Sequence, residues 1–141
     1  MPGFYDQDGL RFAYPENWTI DEEEEYSAAA SATVTSPQTA FWSVMVYDGL
    51  QDVQELAVCA VDALKSEYPQ MEVEEANAPG TEAGCGYELS FSCFDLLSTA
   101  TIYSFHHAGR TYLVLSQAED HERESVEPLF QAMTTSLLQE C

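Results

Sequence analysis

Lysine and arginine are nearly absent from this 141-residue sequence. It has only Arg11, Lys65, Arg110 and Arg123 against 25 aspartates and glutamates, which gives a formal net charge of -21 at pH 7. Proteins that bind nucleic acid draw most of their non-specific affinity from lysines and arginines that neutralise phosphates. Four scattered cations cannot supply that affinity. The composition therefore excludes nucleic acid and anionic lipid as partners.

Long apolar runs and a secretion signal are also missing. A bilayer span needs about 18 or more consecutive apolar residues, and the sequence contains no such run. The first ten residues, MPGFYDQDGL, have neither a basic start nor an apolar stretch. We therefore expect no membrane partner and a cytoplasmic location. A cytosolic chain of this size does not depend on disulfides, so we expect free thiols at Cys59, Cys85, Cys93 and Cys141.

The sequence does contain repeated strand patterns. Apolar residues alternate with polar ones, or form short buried runs between turn residues, which is typical of β-strands. These patterns predict strands at 10–14, 18–20, 32–35, 41–47, 72–76, 87–93, 102–105 and 112–115. The connections are mostly short, and short connections join antiparallel strands. We predict a mostly antiparallel sheet of about six to eight strands, with 10–14 and 18–20 as its first hairpin.

Two segments have the periodicity of amphipathic helices. From Val53 to Tyr68 the apolar residues recur at helical spacing, and Asp52 with Glu55 matches a capping box at the start. Pro69 is expected to end this helix.

The second helical segment, 126–137, leaves its starting point open. Pro128 fits the first turn of a helix that Ser125 caps, because the first turn has no use for the missing N–H. A helix that begins earlier, near His121, would instead be kinked at Pro128.

Some of the strands are apolar on both faces. In 41–47, Trp42 and Val44 point to one side while Met45 and Tyr47 point to the other. A sheet of this kind needs a layer packed on each face. We predict an α+β fold, a three-layer α/β/α sandwich with two main helices, in a single domain of residues 1–141.

Two segments resemble the PsbP-like superfamily. They are GLRFAYPENW at 9–18, with its aromatic residues, Pro and Trp, and VEPLFQAMTTSL at 126–137. The resemblance implies an α/β/α sandwich on an antiparallel sheet. The group includes a thylakoid lumen subunit of photosystem II, a nuclear import factor that binds the GTPase Ran, and bacterial chaperones of secretion-system effectors. It implies a scaffold that binds other proteins, and it brings no catalytic residues.

The densest charge in the sequence is Asp21 followed by Glu22, Glu23, Glu24 and Glu25. Charge runs are usually solvated loops, and this is the first interpretation of the segment. The second interpretation is a docking segment for a protein partner with a basic or amphipathic surface. We take the segment as the candidate partner-binding site.

Catalytic, cofactor and metal sites are not predicted. Cys85, Cys93, His106 and His107 match no known zinc spacing, and the nucleophile-elbow signature of hydrolases is absent. The aromatic residues at strand spacing are interpreted as core rather than as a ligand pocket. They are Trp18, Trp42, Tyr47, Tyr87, Phe91, Tyr103 and Tyr112.

The leading hypothesis is a non-enzymatic protein-binding or scaffold module. One alternative is a small-ligand-binding protein or an enzyme, with a pocket between sheet and helix that contains Cys93 or His106. Another is a chaperone for hydrophobic segments, which would need an exposed apolar patch of several hundred Å². The sequence also leaves open whether the acidic surface is an adaptation to salt.

Overall fold

The computed structural model describes residues 3–7, 10–21, 30–68, 70–76, 84–93, 96–107 and 109–140. Within these ranges the chain forms nine strands and two helices. They are β1 Gly3–Gln7, β2 Leu10–Tyr14, β3 Thr19–Asp21, β4 Ala30–Thr35, β5 Phe41–Asp48, α1 Val53–Glu67, β6 Glu72–Ala76, β7 Cys85–Cys93, β8 Leu96–His107, β9 Arg110–Glu119 and α2 Asp120–Glu140.

Seven strands form one antiparallel sheet in the order β3-β4-β5-β9-β8-β7-β6, and β1 and β2 form a separate pair. This architecture confirms the predicted α+β fold with two helices. Neither helix among the described residues has the length and apolar character that a bilayer span requires.

The predicted first hairpin is wrong. Strand β2 pairs with β1, with Tyr5 opposite Phe12, whereas β3 pairs with β4 in the main sheet. Between β2 and β3 the chain turns at Pro15, whose carbonyl accepts a hydrogen bond of 3.0 Å from the amide of Trp18. The alternation on either side of Pro15 is real, but the two strands belong to different sheets.

Helix α1 begins where the sequence predicts. The side chain of Asp52 accepts hydrogen bonds from the amides of Gln54 and Glu55, at 3.0 and 3.1 Å. Such a cap satisfies amides that have no partner inside the helix. Helix α1 packs on one face of the main sheet, where the buried side chains include Leu89, Phe91, Ala100, Ile102 and Leu113.

Helix α2 begins earlier than a Ser125 cap would allow. It starts at Asp120, and the Ser125 hydroxyl donates to the carbonyl of Glu122 at 2.9 Å inside the helix. Pro128 therefore lies in the helix interior. The early start agrees with the two carboxylates of the first turn, because negative charge stabilises a helix N-terminus.

Helix α2 and the β1-β2 hairpin share the other face of the sheet, and Trp42 of β5 joins them. Its ring is fully buried, and the ring centroid of Phe12 in β2 lies 4.9 Å away. Its Nε1 donates to Thr134 Oγ1 of α2 at 3.1 Å, and Thr134 donates onward to the carbonyl of Phe130. The amide of Ala13 donates to Ser136 Oγ at 2.9 Å, which ties β2 to α2 directly.

Glu122 anchors the first turn of α2 to the β4-β5 connection. Its side chain is buried, with 5% of its surface exposed. One carboxylate oxygen accepts from Ser36 Oγ at 2.9 Å, and the other accepts from the Thr39 hydroxyl at 3.3 Å and the Thr39 amide at 3.4 Å. A buried carboxylate needs such partners, because burial without them is costly.

We predict that Glu122→Ala destabilises the protein by about 1–3 kcal/mol, the cost of leaving buried polar groups without a partner. Urea denaturation followed by circular dichroism measures this change. Glu124→Ala is the matched control, because Glu124 is exposed two residues further along the same helix. Equal stability losses in the two variants would contradict the role given to Glu122.

Candidate functional site

The two faces of the main sheet differ in how far apolar residues extend. The α1 face is apolar from β5 to β6. On the α2 face, the apolar residues are concentrated on β4, β5 and β9, with Phe105 and Tyr103 of β8 at their margin. The expectation of apolar character on both faces is therefore confirmed for β5, whereas β7 has the one-sided alternation that the sequence predicts for it.

Polar side chains occupy the rest of the α2 face. Glu74 of β6 lies opposite Glu88 of β7, and Glu88 lies opposite Thr101 of β8. Strand alternation puts them on the face opposite Val73 and Leu89, which pack in the α1 layer. We call this surface the acidic half-face. It consists of Glu72, Glu74, Glu88, Thr101 and Tyr103, bordered by Arg123 and Glu127 of α2.

The acidic half-face carries more negative charge than it neutralises. Arg123 Nη2 lies 2.7 Å from Glu88 Oε1, and Arg123 Nε lies 3.7 Å from Glu127 Oε2. Glu72 and Glu74 are exposed at its outer edge. Like charges directly opposite each other on neighbouring strands are destabilising. Among the described residues of this surface, one guanidinium thus faces four carboxylates.

A groove runs between this surface and helix α2. Its volume is about 330 Å³. Most of its lining residues are polar. They are Thr101, Tyr103, Ser116, Glu127, Gln131, Thr134 and Thr135, and the apolar members are Val114 and Phe130. The groove offers hydroxyl and amide groups that can both donate and accept hydrogen bonds.

Tyr103 stays protonated in this groove. Burial raises the pKa of its phenol, and the negative charges of Glu88 and Glu127 raise it further. The neutral phenol is therefore a hydrogen-bond donor at physiological pH.

The predicted partner-binding segment is only partly described. Asp21 ends β3 and is exposed, while Glu22, Glu23, Glu24 and Glu25 lie outside the described residues. Strand β3 lies at the edge of the sheet opposite β6. The acidic half-face is thus a separate concentration of charge. Sequence reasoning missed it, although its signal was present as Glu72 and Glu74 alternating in a short strand.

The cysteines and histidines considered for zinc are spread through the fold. Cys85 and Cys93 begin and end β7, so their backbones lie about 26 Å apart at roughly 3.3 Å per residue. His106 Nε2 donates to the carbonyl of Gln51 at 2.6 Å, and His107 packs edge-on against Tyr112. No metal-binding group of three or more such side chains is found among the described residues. Cys59 and Cys85 are free thiols, as predicted.

The aromatic residues lie in the core, as the sequence predicts. Trp18, Trp42, Phe91 and Tyr112 are buried, and Tyr47, Tyr87 and Tyr103 pack against the core from its margin. Only Tyr103 of this set also lines the groove beside α2.

The most exposed large apolar residues of the described chain lie on four separate segments. They are Phe4, Leu50, Val58 and Leu97. Leu50 follows β5 at one end of the sheet, and Leu97 is the second residue of β8 at the other end. This distribution differs from the continuous patch that a chaperone for hydrophobic segments would present.

The pKa of Tyr103 gives a test of the groove. A phenol with a raised pKa keeps its proton in the folded state above pH 10, where the phenol of the unfolded chain ionises. Tyr103 thus makes the folded state progressively less stable as pH rises above 10. We predict that the free energy of unfolding falls less between about pH 9 and pH 11 in the Tyr103→Phe variant than in the parent chain. Urea denaturation at each pH measures the difference. Parallel losses in both proteins would contradict the environment assigned to Tyr103.

Comparison with known protein structures identifies the fold. No protein-family model matches the sequence, and neither does any curated protein. The structure is similar to cyanobacterial PsbP (CyanoP) from Synechocystis sp. PCC 6803, with a TM-score of 0.59 and 15% identity over 96% of this chain and 90% of that chain. It is also similar to PA94 of Pseudomonas aeruginosa, a protein of unknown function, with a TM-score of 0.51 and 10% identity over 96% of this chain and 95% of that chain. The chain therefore has a PsbP-like fold, as the resemblance of its two end segments implied.

Proposed function

We propose that this protein is a non-enzymatic binding module that holds a basic segment of a partner protein on its acidic half-face. The observation that carries the proposal is a sheet surface on which, among the described residues, four carboxylates meet one guanidinium. The PsbP-like fold supports it, because the resemblance implies a scaffold for protein contacts. The proposed partner is a cytoplasmic protein.

The local charge is strong enough to act through physiological salt. Screening reduces electrostatic interactions over about 8 Å at physiological ionic strength. Directly opposed residues on antiparallel strands have Cβ atoms about 4.5–5.5 Å apart, so Glu74 and Glu88 act together within that range. A basic segment placed here relieves their repulsion and speeds association by charge complementarity.

The neutral groups of the same surface suit a peptide backbone. Tyr103 and Thr101 offer hydroxyls to carbonyls and amides, and Gln131 offers both halves of its amide. Interfaces between proteins usually contain polar groups that form direct hydrogen bonds with the partner.

Several hydroxyl and imidazole groups of the described residues have structural contacts. Thr134 accepts from Trp42 and donates to a helix carbonyl. His106 bonds the Gln51 carbonyl, and His121 Nδ1 lies 3.3 Å from a carboxylate oxygen of Glu119. These contacts favour the binding module over an enzyme.

A small polar ligand in the groove is the second candidate. The observation that favours it is the volume of about 330 Å³, because small-molecule sites span roughly 300–1,000 Å³. It requires direct contact with Tyr103 and Gln131 rather than with the outer carboxylates.

A pair of charge-matched variants tests the proposal. The probe is a fluorescein-labelled seven-residue peptide that alternates lysine and serine, followed by fluorescence anisotropy. We expect Glu74→Gln/Glu127→Gln to weaken binding by about three- to tenfold, since exposed ion pairs each contribute modestly. The control, Glu55→Gln/Asp62→Asn, removes the same charge from exposed positions of α1 and should change affinity by less than about twofold.

Equal weakening by both variants would show that the peptide responds to the overall charge and not to the acidic half-face. Affinity that does not change between about 50 mM and about 500 mM salt would contradict the electrostatic basis of the proposal.

A further inference from the structure

The outer end of the acidic half-face borders a second cavity. Strand β7 pairs with β6 only as far as Ser90, and then continues to Cys93 against β8. Strand β7 therefore extends beyond the start of β6, which leaves a notch in the edge of the main sheet at that point. A cavity of about 550 Å³ lies there, which is within the range of roughly 300–1,000 Å³ that ligand sites span.

The lining of this notch is apolar at its base and negative at its rim. Tyr68 stacks on Phe91 with 4.2 Å between ring centroids, and Met71 is buried beside them. Leu97 lines the notch with 49% of its surface exposed. Glu67 and Glu72 supply the carboxylates. We call this set of residues the edge notch.

Strand β6 continues from the notch as the last strand of the sheet. Among the described strands it pairs only with β7. In an antiparallel pair, alternate residues direct their N–H and C=O away from the partner strand. An edge of this kind accepts an additional strand from another chain.

The side chains of β6 determine which type of peptide segment can pair with this strand. Glu72 and Glu74 lie on one face and Val73 packs on the other. An added strand would thus meet carboxylates at every second residue and an apolar surface at the residues between. A second copy of this chain would bring its own Glu72 and Glu74 against these carboxylates, so charge repulsion disfavours self-pairing.

We infer that the edge notch and the outer edge of β6 bind an extended partner segment in which cationic and apolar residues alternate. The segment adds as a strand along β6, with its apolar residues on the α1 face, beside Val73 and toward Phe91 in the edge notch, and its cations on the opposite face, beside Glu72 and Glu74. This inference rests on the proposed function and specifies the form of the partner.

Three peptides of equal length test the inference by fluorescence anisotropy. The first alternates lysine and valine over seven residues, the second has serine in place of valine, and the third is the first with alternate backbone nitrogens methylated. We expect the valine peptide to bind at least about tenfold more tightly than the serine peptide. We expect methylation to remove that gain, because a methylated nitrogen cannot donate to the edge.

Val73→Ser tests the apolar contacts of the segment, with Val58→Ser as its control. Val73 is partly buried and Val58 is 39% exposed, so neither change removes a fully buried side chain. Val73→Ser should weaken the valine peptide at least about threefold and leave the serine peptide unchanged, whereas Val58→Ser should affect neither.

The outcomes separate this inference from the proposed function. If the valine and serine peptides bind equally and both respond to Glu74→Gln/Glu127→Gln, the edge-notch inference is overturned and the binding module stands. Retained affinity of the methylated peptide, or an equal effect of Val73→Ser and Val58→Ser, also overturns it. If no peptide binds, both proposals fail.

Discussion

The position of Trp42 determines which part of this fold is available for binding. Its ring lies against Phe12 of β2, and its Nε1 is bonded to Thr134 of α2. A buried indole N–H that lost this partner would cost stability, so helix and hairpin are both held over the strands near β5. In the part of the chain that the structure describes, they consequently leave the α2 face of β6 and β7 without a second layer. The acidic half-face exists because the cover is centred on one side of the sheet.

Among the described residues, the charged side chains and the buried apolar side chains occupy different parts of the structure. The two apolar clusters lie on opposite faces of the sheet, and nearly all described carboxylates are exposed or partly exposed. Glu122 is the exception, and its bonds to Ser36 and Thr39 give it a structural role. Carboxylates at the surface keep the chain strongly negative without placing unpaired charge in the interior. The acidic half-face can therefore bind a partner without involving the residues of the core.

Local patterns in the sequence predicted most of the secondary structure, and pairing was harder to predict. Strand β5 and the Asp52 cap of α1 follow from alternation and capping chemistry, which depend on neighbouring residues. Strand β1 was missed because Phe4 and Tyr5 are adjacent and give no alternation. The first hairpin was wrong because its partner choice depends on the packing of Phe12 against Trp42, which no local pattern records.

The candidate site shows the same limit. The run from Glu22 to Glu25 stands out in the sequence because its charges are consecutive. Glu74 and Glu88 become neighbours only when β6 pairs with β7, and Arg123 of α2 reaches Glu88 at the margin of this surface. Composition indicated that charge would matter, and the tertiary structure was needed to show where it is concentrated.

The most direct test of this account is a map of the binding surface by NMR. The backbone amide signals of the protein would be followed during titration with the lysine- and valine-containing peptide. The account predicts that shifts are concentrated in β6, β7, β8 and the part of α2 near Arg123 and Glu127. Shifts concentrated on α1, or spread evenly over all the exposed carboxylates, would contradict it.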